Sequence, residues 1–455
     1  MLKKCCLILL LIIPGLAKAQ YKLPDNIFQQ TLPNGLTVLV IEDNIVPLAT
    51  IMITCKNGSY TETPEFNGLS HLYEHMFFTA NKDYTSEEDY LHRVTELGMR
   101  YNGSTSFENV NYYFILPGNN VDAGLEFMNS AIRYPKFDKA TIEKENLVVD
   151  DEFREHESNP GFALGDAMDH HVWGDLYSRK NPIGNHQVIR SATPAMMDSI
   201  KNKYYYPNNC MLMIAGDVKH EDIFKQAAKI YGSWKPSAFD PFQKWPIPEF
   251  KPIEKTDYFI VESQLSRVPL VLLEWEGPDT RHDLKATYAA DVFSYILDQN
   301  SSRFKKALVQ SGLALDVSIG YLTMNHTGPI NINIDPNPDK IKECMAEMKR
   351  QINMMDADDY ISDEQLAAAK RKLEIKTVKE REVTSDFVQA LSFWWASSSI
   401  DYYAGYIDNV NKITRADLQK YVRKYIKNQP YCAGLLISPE LRAQTKADDF
   451  FTPSN

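Results

Sequence analysis

The chain has 455 residues, of which 44% are hydrophobic and 24% charged, and its formal charge at pH 7 is -11. This length is about three times that of a usual domain, so more than one hydrophobic core is expected. The ordinary glycine and proline content and the lack of low-complexity tracts exclude collagen-like, coiled-coil and disordered proteins. The acidic balance, without a Lys/Arg run beside aromatic residues, argues against a nucleic-acid partner.

Residues 1–19 form a segment that we interpret as a secretory signal peptide. Lys3 and Lys4 precede an apolar run that is too short to span a bilayer comfortably, and an Ala-Lys-Ala tripeptide closes the segment. The alternative is an uncleaved membrane anchor, but Pro14 and Gly15 interrupt the apolar run. No later stretch approaches about 18 uninterrupted apolar residues, so we expect an exported protein, periplasmic or secreted, with no membrane span after cleavage.

Four cysteines follow the signal segment: Cys55, Cys210, Cys344 and Cys432. They are far apart and include no C-x-x-C pair, so they form either one or two disulfides or four buried apolar side chains. We favour the second interpretation, because each cysteine lies in or beside an apolar stretch and a core of this size needs no covalent cross-link.

A proline-rich segment, residues 236–256, divides the mature chain into two halves of similar length. Its prolines interrupt every helical or strand period, which indicates an extended linker. We therefore assign residues 20–235 to an N-terminal domain, residues 236–256 to a linker and residues 257–455 to a C-terminal domain.

The two halves look like copies of one unit. Residues 38–53 predict two strands around a turn, and residues 258–275 predict the same pair. Thr193 and Thr414 each stand at the N-cap position of a helical pattern, and a strand follows each helix. The corresponding segments are all separated by about 220 residues, which indicates a tandem duplication.

Each half begins with strands, continues with helices and ends with a helix-strand pair. This order is typical of a mostly antiparallel sheet with helices packed on one face. The fold class is therefore α+β, with two similar domains that enclose a cleft. Such a cleft is the expected place for a ligand.

Residues 67–80, NGLSHLYEHMFFTA, carry the strongest chemical signal in the chain. His71 and His75 are four residues apart, so both imidazoles lie on one face of a helix, with Glu74 beside them. Two imidazoles one turn apart can bind one Zn²⁺, and the adjacent carboxylate can then reach a water molecule without binding the metal. This order, H-x-x-E-H, is the inverted form of the zinc-protease motif.

The alternative is a partly exposed helix whose histidines form only local hydrogen bonds. Apolar residues bury the helix, however, and buried ionisable groups need a compensating partner. A catalytic zinc needs a third protein ligand, for which an acidic helix at residues 140–157 is the candidate region. Spacing alone does not choose among its carboxylates, which are Glu143, Glu145, Asp150, Asp151, Glu152 and Glu155.

The sequence resembles the insulinase/pitrilysin family of zinc peptidases, in particular its short-subunit branch, typified by mitochondrial processing peptidase and related bacterial peptidases. The resemblance rests on the duplication, on residues 71–75, on residues 102–113 (NGSTSFENVNYY) and on the acidic helix after residues 135–138 (PKFD). It implies a zinc metalloendopeptidase that binds one Zn²⁺ per chain and cleaves unfolded peptides or oligopeptides inside a cleft.

The resemblance also selects the remaining site residues. In that family the third ligand follows the motif at the spacing that separates His75 from Glu152 here, and another glutamate precedes that ligand by seven residues. This implies Glu152 as the third ligand and Glu145 as the carboxylate that orients a histidine. It further implies that Glu74 takes a proton from the attacking water and then protonates the leaving amine.

The strand at residues 102–105 has a second role in this interpretation. In the family this strand borders the active site and pairs with an extended peptide substrate, as an unpaired strand edge allows. Asn102, Gly103, Ser104 and Thr105 are therefore the expected substrate-binding residues, and Gly103 permits close approach of the peptide. The residues alone leave open a surface turn around Asn102-Gly103.

One feature of active members is missing. They carry, in the second half, an Arg and a Tyr that reach the substrate carbonyl, whereas Leu308-Val309 and Leu315 occupy those positions here. Arg303 and Tyr321 are the candidate substitutes. The resemblance therefore implies the zinc-bearing subunit of a heterodimer whose homologous partner supplies the Arg and the Tyr.

Two alternatives to the heterodimer remain. The first is a homodimer or monomer that uses other donors and is less active. The second is a non-catalytic or weakly active peptide-binding or scaffold subunit of the same family, although such relatives tend to lose the metal ligands that this chain retains.

Overall fold

The computed structural model describes residues 23–174 and 179–451, and the signal peptide expected at residues 1–19 lies outside them. The described residues form eleven strands and eighteen α-helices, besides short 3-10 and π-helical turns. The strands of the first half are β1 (Ile27–Thr31), β2 (Thr37–Glu42), β3 (Leu48–Cys55), β4 (Arg100–Thr105), β5 (Val110–Pro117) and β6 (Cys210–Gly216). The strands of the second half are β7 (Asp257–Glu262), β8 (Leu270–Glu276), β9 (Ala314–Tyr321), β10 (Pro329–Pro336) and β11 (Cys432–Ile437).

The helices before the second sheet are α1 (Leu69–Phe77), α2 (Glu87–Glu96), α3 (Val121–Arg133), α4 (Lys139–Glu157), α5 (Pro160–Trp173), α6 (His186–Arg190), α7 (Pro194–Tyr204), α8 (His220–Tyr231) and α9 (Pro241–Lys244). The later helices are α10 (Leu284–Leu297), α11 (Arg303–Lys305), α12 (Ile341–Met354), α13 (Asp363–Lys379), α14 (Thr384–Ser397), α15 (Ile400–Ala404), α16 (Tyr406–Lys412), α17 (Arg415–Tyr425) and α18 (Pro439–Thr445).

Each half contains one sheet, and the two sheets have the same topology. The first sheet has the strand order β1-β2-β6-β3-β5-β4, and the second has the order β7-β11-β8-β10-β9. Apart from β1, the two orders match strand for strand. One pair in each sheet is parallel, β2 with β6 and β7 with β11, and the other pairs are antiparallel. The predicted α+β fold with two similar domains is therefore confirmed.

Corresponding helices of the two halves begin in the same way. The hydroxyl of Thr193 accepts a hydrogen bond from the N–H of Met196 over 3.3 Å at the start of α7. The hydroxyl of Thr414 accepts one from the N–H of Asp417 over 3.2 Å at the start of α17. Both threonines are thus N-caps, which satisfy an otherwise unpaired N–H of the first helical turn.

The halves cover each other's sheets. The inner face of the first sheet packs against helices of its own half, including α1 and α3. Its outer face receives α14 from the second half, where Leu391 belongs to a buried cluster with Met213. In return, α5 of the first half packs on β8 and β11, where Met168 and Val172 form a buried cluster with Cys432. Each sheet therefore has one face covered by a helix of the opposite half.

The expectation of four unpaired cysteines is wrong for one pair. Cys55 at the end of β3 and Cys210 at the start of β6 are register partners whose Cα atoms are 4.2 Å apart, and they form a disulfide. Register partners on antiparallel strands present their side chains to the same face of the sheet, a relationship that a separation of 155 residues does not reveal. Cys344 and Cys432 are unpaired and buried, as expected.

The segment that links the two sheets, residues 236–256, contains the short helix α9 and otherwise neither helix nor strand. Across residues 23–174 and 179–451, no helix combines the length and the apolar composition that a bilayer crossing requires.

Candidate metal centre

Helix α1 is anchored by its apolar side and presents two imidazoles on the other. Leu69, Leu72 and Met76 have no exposed surface. The helical period of 3.6 residues then places His71 and His75 on successive turns of the same face. Their ring centroids are 4.8 Å apart, and their planes are nearly perpendicular at 84°.

The start of α1 is fixed by a buried carboxylate that the sequence analysis missed. Glu62 is 3% exposed and accepts hydrogen bonds from the backbone N–H groups of Gly68 and Ser70, each over 2.8 Å. A carboxylate at this place satisfies unpaired N–H groups and interacts favourably with the helix dipole. Burial raises the pKa of Glu62 to about 7. A lone glutamate seven residues before a helix start carries no periodic signal that would have singled it out.

Helix α4 brings two carboxylates to the opposite side of the centre. Asp138 caps the helix by accepting a hydrogen bond from the N–H of Thr141 over 3.0 Å. Glu145 and Glu152 are seven residues apart, so they lie on one face of α4, two turns from each other. This face is turned toward α1, because both carboxylates approach the imidazole of His75.

The three expected ligands converge. The Oε2 atom of Glu152 lies 3.6 Å from Nε2 of His71 and 3.6 Å from Nε2 of His75, and all three ligand atoms lie within 4.8 Å of one another. Ligand atoms held tetrahedrally at about 2.0 to 2.2 Å from a zinc ion are about 3.4 Å apart. The nitrogen and oxygen donors and their spacing therefore fit a single Zn²⁺.

The protonation states of His71 and Glu152 suit a metal. Burial lowers the pKa of His71, which favours the neutral imidazole. The hydrogen bond with His75 lowers the pKa of Glu152, which favours the carboxylate. Burial alone would lower the pKa of His75, but hydrogen bonds with Glu145 and Glu152 raise it to about 9, so a metal ion must displace a proton from this ring. Nδ1 of His75 lies 3.3 Å from Oε2 of Glu145, so an N–H donated there leaves Nε2 of the same ring free as a ligand.

Glu74 lies beside this group and faces strand β4. It is 8% exposed, and its Oε2 atom accepts a hydrogen bond from the hydroxyl of Thr105 over 2.6 Å. A Cβ atom added to Gly103 would lie 2.7 Å from Oε1 of Glu74, so the strand backbone abuts the carboxylate directly. Burial raises the pKa of Glu74 to about 7, and a carboxyl group with such a pKa can both accept and release a proton near neutral pH.

Strand β4 is the edge of the first sheet, with β5 as its neighbour. Asn102, Gly103, Ser104 and Thr105 all lie within this strand rather than in a surface turn. Asn102 and Ser104 are exposed, and no other strand of the described residues pairs with the far side of β4. Its backbone can therefore take up one more extended chain.

Each candidate substitute for the missing Arg and Tyr has a partner within the described residues. The guanidinium of Arg303 pairs with Asp359 over 2.6 Å. The hydroxyl of Tyr321 donates a hydrogen bond to the carbonyl of Pro278 over 2.8 Å. Leu315, which stands where the resemblance places the Tyr, is 59% exposed.

Family models match both halves of the chain. Residues 37–183 match the family described as Insulinase (Peptidase family M16), and residues 191–373 match the one described as Peptidase M16 inactive domain. The chain is also 26% identical over 351 residues to an uncharacterized zinc protease of Rickettsia felis, a match that covers 77% of this chain and 82% of that protein.

Solved structures share the fold. A protease from Helicobacter pylori superposes with a TM-score of 0.78 at 21% identity and covers 90% of this chain and 99% of its own. The periplasmic protease PqqL from Escherichia coli superposes with a TM-score of 0.73 at 16% identity, over 94% of this chain but 49% of PqqL. This chain therefore has the fold of about half of PqqL.

Proposed function

The chain belongs to the insulinase (M16) family of peptidases, and on this basis we propose that it is a zinc metalloendopeptidase that cleaves unfolded peptides or oligopeptides. The observation that carries the proposal is the position of Glu152, whose carboxylate is equidistant from the imidazoles of His71 and His75. A helix with two histidines is common. Two histidines on one helix together with a carboxylate from a second helix form the donor set of a catalytic zinc site.

The side chains of the centre have separate roles in this proposal. His71, His75 and Glu152 would hold one Zn²⁺ per chain, and Glu145 would orient His75. When bound, the ion supplies a Lewis acid that polarises a peptide carbonyl and acidifies water. Glu74 accepts a proton from the attacking water at its carboxylate and passes it to the leaving amide nitrogen.

The substrate lies along β4 as an added strand. Backbone groups of residues 102–105 would pair with those of the peptide, which requires an extended chain and so excludes folded proteins. Glu74 lies directly against the strand backbone at Gly103. Because Gly103 has no side chain, nothing from this residue separates the peptide from Glu74. The peptide bond to be cleaved would therefore lie close to the proposed proton acceptor.

A homologous subunit completes the site in our proposal. The side chain of Glu152 is 41% exposed and the edge of β4 is open. Arg303 and Tyr321 are engaged elsewhere, so the Arg and the Tyr would come from a partner that faces this surface. The fold of the chain corresponds to about half of PqqL, which is consistent with a catalytic unit built from two such chains.

The match to the family described as an inactive domain does not favour a scaffold function. That match begins at residue 191, whereas His71, Glu74, His75 and Glu152 all lie in the part that matches the peptidase model, residues 37–183. The half without the H-x-x-E-H motif is thus the one with the inactive match.

We also propose that the protein is exported to the periplasm or secreted. The signal-like segment at residues 1–19 supports this location, as does the disulfide between Cys55 and Cys210, because disulfides persist in oxidising compartments. The mature protein would then consist of a zinc-binding domain at residues 20–235, a linker at residues 236–256 and a metal-free domain at residues 257–455.

Hydrolysis of an unstructured peptide library by the purified mature chain tests the function. We expect about one zinc per chain and cleavage that a chelator stops, with full activity after addition of a homologous Arg/Tyr-bearing subunit. Glu74→Gln should keep the zinc and lose activity by about 100-fold or more. Wild-type cleavage by Glu74→Gln would contradict the mechanism, and full cleavage without a partner would contradict the heterodimer.

A further inference from the structure

The position of Glu152 depends on the backbone of α4. Its side chain is 41% exposed, and within the described residues its close polar contacts are the imidazoles of His71 and His75. On its own helix the carboxylate interacts electrostatically with His156, but no hydrogen bond between described residues of α4 fixes its orientation. Whatever sets this turn of α4 against α1 therefore sets the distance between the carboxylate and the two imidazoles.

Helix α6 holds that turn of α4. The carboxylate of Asp150, with 4% of its side chain exposed, lies between two residues of α6. One oxygen contacts Nδ1 of His186, and the other accepts a hydrogen bond from the guanidinium of Arg190 over 2.6 Å. The ring of Phe153 packs on the ring of His186 with centroids 3.9 Å apart. Residues on both sides of Glu152 are thus fixed to α6.

The segment that leads into α6 also touches the start of α1. Gly68 and Gly184 lie against each other with φ values of +93° and +82°, and a Cβ on Gly68 would be 2.7 Å from Cα of Gly184. Neither position has room for a larger residue in this backbone conformation. The N–H of Asn185 donates to the carbonyl of Asn67 over 3.3 Å, and Ile189 is buried in the core of the first half.

We propose that residues 183–190 form a brace that sets the spacing between the two metal-binding helices, with His186 and Arg190 as positioning residues for Glu152. Gly184 and Asn185 contact the residues at the start of α1, and His186 and Arg190 bind Asp150 of α4. Loss of the contacts with Asp150 lets the turn that carries Glu152 move away from the imidazoles, so zinc affinity falls. The inference rests on the zinc site proposed above and names residues beyond its ligands.

Zinc affinity of the purified mature chain tests the brace. The dissociation constant for Zn²⁺ is measured by competition with a chromophoric chelator, and the melting temperature of the metal-free protein is measured in parallel. Groups that orient metal ligands typically change affinity by about 10- to 100-fold, so Arg190→Ala should raise the dissociation constant by about tenfold. Arg190→Lys keeps a cation beside Asp150 and should recover most of the affinity.

A second pair of variants tests the other contact. His186→Ala should weaken zinc binding in the same direction as Arg190→Ala. His186→Asn keeps an N–H group near the position of Nδ1 and should bind zinc more tightly than His186→Ala. Arg190 is 55% exposed and His186 is 28% exposed, so these side chains can be replaced without opening the core.

The matched control is Arg154→Ala. Arg154 also pairs with Asp150, over 2.9 Å, but both residues belong to α4, so this pair cannot hold α4 against another helix. The variant removes a cation from the same carboxylate and leaves the brace in place. We expect its zinc affinity to stay within about twofold of the wild type.

The measured zinc affinities distinguish failure of the brace from failure of the proposed zinc site. Weaker zinc binding in Arg190→Ala and His186→Ala, with Arg154→Ala unaffected, supports the brace. Unchanged affinity in the first two, or an equal loss in all three, overturns the brace and leaves the zinc site intact. A wild-type chain that binds no zinc overturns the proposed function and the brace with it.

Discussion

Thr105 donates a hydrogen bond to Glu74 across 2.6 Å, so the strand that we expect to bind the peptide also holds the proposed proton acceptor. Gly103, two residues earlier on the same face of β4, packs against the same carboxylate. In the proposed function, one strand therefore sets the positions of both the substrate and the proton acceptor.

Removal of the Thr105 hydroxyl should lower kcat. Thr105→Val keeps the shape of the side chain but removes the donor, and a hydrogen bond to a charged group contributes about 1.5 to 3 kcal/mol, equivalent to a loss of about 10- to 100-fold. We expect KM and zinc content to change little, because the ligands and the strand backbone remain. Steady-state kinetics on a defined peptide and metal analysis measure both effects.

Thr105→Ser is the control for this prediction, because it retains the hydroxyl and should keep most of the wild-type kcat. Equal losses of kcat in the Val and Ser variants would show that the hydrogen bond to Glu74 does not determine the catalytic rate.

Removal of His75 should abolish zinc binding. His75→Ala leaves His71 and Glu152, and two ligands do not hold a catalytic zinc at physiological concentrations. A second cluster of metal-type side chains, formed by Glu42, His220 and Glu221, provides the comparison. Zinc per chain, measured by atomic absorption after dialysis, should fall from about one to near zero in His75→Ala.

His220→Ala is the matched variant and should retain its zinc. Nδ1 of His220 is already 2.9 Å from Glu42, and its ring stacks on Phe28. Loss of zinc in His220→Ala would show that the ion binds at Glu42, His220 and Glu221 and not at the proposed centre.

The stability of the contact between the two halves should depend on pH. Glu274 lies on β8 beneath α5, and burial, reinforced by Asp169 on α5, raises its pKa to about 8. Burial likewise raises the pKa of Asp169 to about 7. Because the folded state holds these protons more tightly than the unfolded state, the free energy of unfolding should fall as pH rises from about 4.5 to about 8.

Glu274→Gln removes part of this dependence. Its melting temperature should change less between pH 5 and pH 8 than that of the wild type, and it should exceed the wild-type value at the higher pH. Glu374→Gln, on an exposed position of α13, should follow the wild-type profile. Parallel profiles for wild type and Glu274→Gln would contradict the prediction.

The disulfide should leave two titratable thiols in the mature chain. Protein isolated from an oxidising compartment and unfolded without reductant should react with a thiol reagent at Cys344 and Cys432 only. Cys210→Ser should reduce the free energy of unfolding by about 2 to 4 kcal/mol, because the cross-link restricts the unfolded chain. Cys344→Ala, which keeps the disulfide, is the comparison, and four reactive thiols in the unfolded wild type would rule out the cross-link.

The sequence predicted the features that follow a local period. The four-residue spacing of His71 and His75 defines one face of a helix, and both imidazoles of that face lie 3.6 Å from the carboxylate of Glu152. The duplication was equally visible, because repeated strand and N-cap patterns survive at a constant offset.

Contacts between distant segments could not be predicted in this way. Spacing alone left six carboxylates as candidates for the third ligand, and the resemblance to a family was needed to select Glu152. Nothing periodic marks Cys55 and Cys210 as register partners, or Glu62 as the group that receives the N–H of Gly68. Such pairs are determined by strand order and loop path, which emerge only when the whole chain is packed.

The reciprocal placement of α5 and α14 makes the two halves mutually dependent for folding. A fragment that ends in the linker would lack α14, and the apolar residues on the outer face of its sheet, such as Met52 and Met213, would meet water. The fragment that begins there would lack α5 and expose Leu272 and Phe259 in the same way. Neither copy of the duplicated unit is therefore self-sufficient, and separate expression of either one should give insoluble protein unless the other is supplied in the same cell.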